Sequence, residues 1–120
     1  MTSPVTYVEL NTPDLQAASR FFAAVFDWDP QPFAAPDYLV APAGADRGVD
    51  AGLLASRDGA PRVVPVINVG SLEETMDEVV AHGGTIVVAP FTIAGVGRGC
   101  YFTDPTGVLV GLHENNPEVE

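Results

Sequence analysis

Hydrophobic and polar positions alternate along this chain with two different periods, and the two follow one another twice. Val5 to Asn11 alternates residue by residue, the pattern of a strand with one buried face. Thr12-Pro13-Asp14 breaks the alternation, and Asp14 is placed to cap a helix by accepting from free amides of its first turn. From Leu15 to about Phe26 the period becomes helical, with Leu15, Ala18, Phe22 and Val25 on one stripe and Phe21 and Phe26 beside it. Asp27-Trp28-Asp29-Pro30 ends that helix. Gln31 to Asp46 is rich in Pro, Ala and Gly, and only Tyr38-Leu39-Val40 within it reads as a strand. Val49 to Ser56 is the next strand, and Arg57 to Pro61 forms a turn-rich linker.

The second half repeats this order. Val63 to Val69 is strand-like, and Ser71-Leu72-Glu73-Glu74 predicts a capping box. A helix from Leu72 to His82 buries Leu72, Thr75 or Met76, Val79 and Val80, and Gly83-Gly84 supplies its left-handed stop. Thr85–Ala89, Gly99–Thr103 and Val108–His113 are the remaining strands. The Gly95–Gly99 loop reads as a tight or mobile turn, Asp104-Pro105-Thr106-Gly107 as a second turn, and Asn115 to Glu120 as a frayed acidic end. The halves also match residue by residue. Asn11 and Leu15 recur 57 positions later as Asn68 and Leu72, and Gly48–Leu54 recurs at an offset of 59 as Gly107–His113. Two copies of one β-α-β-β-β unit are implied, module one at about 1–57 and module two at about 62–115 of a single domain spanning 1–120.

Composition narrows the partners. A 47% hydrophobic chain of 120 residues is long enough for one packed core. No apolar run approaches the ~20 residues of a membrane span, and the N-terminus lacks the basic and apolar regions of a signal peptide, so the expected location is cytoplasmic. Sixteen acidic against five basic residues give a net charge of −11, which repels phosphate backbones and anionic headgroups and argues against nucleic-acid or membrane partners. The lone Cys100 excludes an internal disulfide and a thiolate zinc cluster, and its strand pattern reads as a small buried hydrophobe.

Four segments in order then resemble the vicinal oxygen chelate superfamily, which includes glyoxalase I, extradiol dioxygenases and bleomycin-resistance binding proteins. They are Val8 to Leu15, Phe21 to Trp28, Gly83-Gly84 and Tyr101 to Gly107. The resemblance implies an α+β fold of two βαβββ modules curling into an open, barrel-like cleft. In the family's metal enzymes, four side chains, usually His, Gln or Glu, hold a divalent cation there. The opening-strand ligand position, seven residues before Asp14, is Tyr7, and its second-module partner is Val64. The closing-strand position, seven residues after Asp104, is Gly111, matched by Gly52 through the internal repeat. A hydrocarbon, a neutral phenol and two glycines do not make a cation site, so no metal and no other cofactor is expected. A two-residue slip offers only Glu9 and His113.

Strand parity extends the candidate cleft from Tyr7 to Glu9 and Asn11, from Val64 to Val66 and Asn68, and from Gly111 to His113. Glycines at positions 52 and 111 should leave pocket volume, and Trp28 with Phe33 offers an aromatic wall or a core anchor. Glu9 and His113 are the candidate acid–base groups, against a structural alternative in which Glu9 pairs with Arg98 or Arg62. The resulting expectation is a metal-independent binding protein for a small cationic or aromatic molecule, similar to the family's antibiotic-binding members and a homodimer. The alternatives are a glyoxalase-like lyase, isomerase or oxygenase acting through Glu9 or His113, and a non-catalytic homodimeric interaction protein.

Overall fold

The computed structural model describes residues 2–43, 48–116 and 118, so part of the Pro/Ala/Gly-rich stretch and of the acidic end lies outside the described residues. Two compact units are present, Tyr7–Val64 and Pro65–Glu120, the latter joined by Met1–Thr6. Among the described residues each carries one helix and four strands, an α+β arrangement of two βαβββ modules.

In the first, β1 (Val5–Thr12) leads into α1 (Leu15–Phe26), then β2 (Gln31–Phe33), β3 (Ala35–Ala41) and β4 (Asp50–Ala55), with strand order β2-β3-β4-β1. Asp14 caps α1 as expected, its carboxylate accepting from the Ala17 amide at 3.0 Å. The helix ends at Asp27, which takes the left-handed conformation that short polar side chains tolerate, and its amide donates to the Ala23 carbonyl. One face of the sheet, including Ala51 and the fully buried Leu53, forms the packed core of this unit. Val25 does not join the packed stripe: it is 56% exposed, and Phe21 and Phe26 are open as well. Strand β2 is an addition to the expected pattern. Prolines at positions 30, 32 and 36 mask it in the sequence, and Ala34 at φ 66° makes the tight reversal into β3.

The second unit runs β5 (Arg62–Asn68), α2 (Leu72–Ala81), β6 (Thr85–Ile93), β7 (Gly97–Thr103) and β8 (Leu109–Asn115), in the order β5-β8-β7-β6. Its core is Val69, Leu72, Cys100 and Leu112, with Ile67, Met76 and Phe102 against it. Three of the five residues of the glycine-rich loop are strand: Gly97, Arg98 and Gly99 open β7. The repeat reappears in the ladders. Parallel β1 and β4 place Glu9 opposite Gly52 and Asn11 opposite Leu54, while parallel β5 and β8 place Val66 opposite Gly111 and Asn68 opposite His113. Equivalent residues therefore keep equivalent cross-strand partners in both modules.

Helix α2 has a second cap that its own sequence does not announce. Ser71 accepts from the Glu74 amide at 3.2 Å, and Glu114, from the far strand, accepts from the Leu72 amide at 2.8 Å. Arg98 ties this corner together, 2.7 Å from Glu73 and 3.4 Å from Glu114. Replacing Glu114 by Ala leaves a part-buried helix amide unpaired, and we expect a loss of about 1–3 kcal/mol, larger than the ~1 kcal/mol of Ser71→Ala. Urea denaturation of the two variants measures the difference.

Candidate functional site

On the first unit's sheet, Tyr7, Glu9 and Asn11 share one face by strand alternation, opposite Val8 and Leu10. Their partners across the ladders are Asp50, Gly52 and Leu54 on β4, then Val40 opposite Gly52 and Tyr38 opposite Leu54 on β3. Three of these side chains form a hydrogen-bonded chain. The Tyr38 hydroxyl donates to Glu9 Oε2 at 2.6 Å, and the Tyr7 and Tyr38 hydroxyl oxygens lie 2.9 Å apart. Glu9 is buried, 6% exposed, and a carboxylate so placed needs such partners. Arg98 and Arg62, its alternative partners on sequence grounds, are engaged with Glu73 and Glu114 and with Asp58 respectively.

Both phenols stay protonated well past neutrality. Burial above all pushes Tyr7 up to about 12; its contact with Tyr38 opposes the shift, and the charges of Glu9 and Asp50 add to it. Burial, Glu9's charge and the hydrogen bond to Glu9 push Tyr38 further still. These groups are donors and acceptors at ordinary pH, not bases.

The glycines do not leave the hollow expected of them. A Cβ on Gly52 would collide with the Tyr7 hydroxyl and lie 2.6 Å from that of Tyr38. A Cβ on Gly111 would meet Val66 at 3.1 Å and the Tyr101 ring at 3.2 Å. Tyrosine and valine groups occupy the volume that longer side chains would take at these positions. No group of three or more His, Cys, Asp or Glu among the described residues is arranged to hold an ion. The residues present therefore do not fit the divalent cation of the family's metal enzymes.

The second unit presents a different surface. Ladder register sets Val66, Gly111 and Tyr101 in one row and Asn68, His113, Gly99 and Phe91 in the next, on the face opposite the core residues Ile67, Leu112 and Cys100. Phe91 and Tyr101 stack with ring centroids 5.9 Å apart, and the Phe91 ring lies over Gly99. His113 Nδ1 is 3.3 Å from Asn68 Oδ1; an amide oxygen only accepts, so Nδ1 carries the proton. Burial lowers the His113 pKa, opposed by the nearby charge of Glu114, and favours the neutral ring. Burial raises the Cys100 thiol, in keeping with its place in the core.

The structure thus brings Tyr7, Glu9 and Gly52 together in one unit, and Val66, Gly111, Asn68 and His113 together in the other. Val64 is buried at the end of the first unit. Trp28 stands apart, stacked on Phe22 with centroids 4.9 Å apart in an aromatic cluster with Phe21 and Phe26. Phe33 is an exposed residue of β2. Tyr38 was missed by strand parity, which relates residues along one strand; it reaches Glu9 from 29 positions away. Phe91 was missed because β6 runs past the expected Ala89 to Ile93.

The profile of the Glyoxalase/Bleomycin resistance protein/Dioxygenase superfamily matches residues 5–112. CFP32 of Mycobacterium tuberculosis and Mycobacterium bovis, provisionally named a glyoxylase, is 31% identical over 120 residues, covering 94% of this chain and 46% of CFP32. The chain spans less than half the length of these relatives. Among solved structures, the Mn(II)-bound glyoxalase of Novosphingobium aromaticivorans has TM-score 0.69 at 24% identity, over 94% of this chain and 40% of that one. Methylmalonyl-CoA epimerase of Mycobacterium tuberculosis has TM-score 0.67 at 16% identity, over 94% and 88%.

Two outcomes follow from the tyrosine chain. In an alkaline titration read at 295 nm, Tyr7 and Tyr38 should ionise above the ordinary phenol value of about 10, and all three tyrosines near it in urea. The raised folded-state pKa makes their contribution to stability complete below about pH 10 and lost as pH climbs toward 12 and beyond. Gly52→Ala should cost about 1–3 kcal/mol by overpacking, and less in a Tyr7→Phe/Tyr38→Phe background, where the obstructing oxygens are gone. A double-mutant cycle in urea checks this.

Proposed function

The chain belongs to the Glyoxalase/Bleomycin resistance protein/Dioxygenase superfamily, and from that premise we propose that it binds a small organic molecule without a metal ion. The observation that carries this reading is the pair of tyrosine hydroxyls standing where a side chain at Gly52 would be, bonded to each other and to Glu9. The hydrogen-bonded chain replaces a cation as the polar element of the first module. The Phe91–Tyr101 stack beside the Asn68–His113 pair supplies an apolar surface with a polar edge, the combination that small-molecule sites use. The finer version, binding of a cationic glycopeptide antibiotic by a cytoplasmic homodimer, rests on family likeness and on the net charge of −11.

A second reading is a lyase, isomerase or oxygenase. It is favoured by one feature: Tyr7, Tyr38 and Glu9 form a continuous path for a proton. His113, neutral and half-buried, is the other group able to accept a proton.

Protein purified without chelators should contain far less than one equivalent of Mn, Fe, Ni or Zn by elemental analysis, and its Tm should not move on adding Mn(II) or Ni(II). Stoichiometric metal overturns the proposal. Calorimetry against cationic glycopeptides and aromatic polyketides tests the antibiotic version, which a complete absence of binding removes. Full turnover by a Glu9→Gln variant on an identified substrate removes Glu9 from the enzymatic reading.

A further inference from the structure

Proton counting fixes the direction of the Tyr7–Tyr38–Glu9 chain, and that direction selects a ligand. A phenol has one proton to give and two lone pairs to receive with, and a carboxylate only receives. The Tyr38 proton goes to Glu9 Oε2. The bond between the two hydroxyls, 2.9 Å long, therefore uses the Tyr7 proton, and Tyr38 accepts it. The Tyr7 oxygen has no proton left for anything else and offers only lone pairs. Asp50 stands directly across the ladder from Tyr7, exposed, and its negative charge acts on the Tyr7 hydroxyl together with that of Glu9.

We propose that Tyr7, with Asp50, is an acceptor subsite for a protonated amine, and that it discriminates against carboxylates and other oxyanions. Resting on the metal-independent reading above, the proposal adds the headgroup chemistry of the ligand. An ammonium supplies the donors the Tyr7 lone pairs lack and meets the exposed carboxylate of Asp50, which also accepts from the Ala43 amide at 2.8 Å. A carboxylate would face lone pairs and like charge at the same place. The preference is opposite in sign to that of a divalent cation, which would hold substrate oxygens. Both phenols resist ionisation past neutral pH, so the polarity of the chain persists across the ordinary range.

The test uses two probes that share a ring and differ in headgroup, benzylammonium and benzoate, titrated into the full ¹⁵N-labelled chain without metal. Benzylammonium should shift the amide signals of Tyr7, Glu9 and Asp50, and benzoate should leave them in place. Tyr7→Phe should weaken benzylammonium binding about tenfold, equivalent to ~1.4 kcal/mol. Glu9→Gln ends the chain on an amide that can both give and accept, so the chain can run in reverse and the preference for ammonium over benzoate should narrow. Benzoate binding at these residues as tightly as benzylammonium overturns the proposed headgroup and leaves metal-independent binding standing. Binding of either probe only after Mn(II) is added overturns the reading beneath it. Silence of these amides to both probes, or unchanged affinity in Tyr7→Phe, overturns the acceptor subsite.

Discussion

Burial of the Glu9 carboxylate is the constraint from which the first module's site follows. A charge taken out of water has to be met by donors, and one comes from Tyr38 on β3, the second strand away from Glu9 in the sheet. Once Tyr38 is committed to Glu9, Tyr7 is committed to Tyr38, and both hydroxyls crowd the backbone of β4. Only a residue without a side chain fits there, so Gly52 is a consequence of the carboxylate as much as a departure from a metal ligand. The interaction also ties β1 to β3 over the glycine of β4, in addition to the ladders.

The two modules keep one register and fill it differently. Glu9 opposite Gly52 and Val66 opposite Gly111 are the same pair in two copies. In the first copy the space over the glycine holds hydroxyls, and in the second a valine methyl and an aromatic ring. The repeat conserves backbone geometry, where a shift of one residue would turn every side chain to the wrong face. Chemistry is free to diverge at the tips.

Much of this was legible from the chain. Period 2 and period 3.6 stretches located β1, α1, β5, α2 and β8, because each has an unbroken pattern and a clear cap or turn. β2 was hidden by prolines that normally argue against strands and are accepted here in a three-residue piece. Val25 sits on the apolar stripe by angle alone, and angle does not say how much of a stripe the fold covers. The site was half legible: the family resemblance pointed to Tyr7 and parity put Glu9 on the same face, but Tyr38 and Glu114 act through contacts 29 and 42 positions apart in sequence. The vacancy expected from glycine was misread because a missing side chain says nothing about which neighbour moves in.

The crowding at Gly52 also limits which substitutions the first module accepts one at a time. A carboxylate or amide side chain does not fit at position 52 while Tyr7 and Tyr38 keep their hydroxyls, because its first carbon already collides with them. Removing those hydroxyls first leaves Glu9 buried with a donor gone. Each single change toward a longer side chain at position 52 is thus unfavourable by itself, so the glycine and the two hydroxyls are coupled: they can be exchanged together but not one at a time.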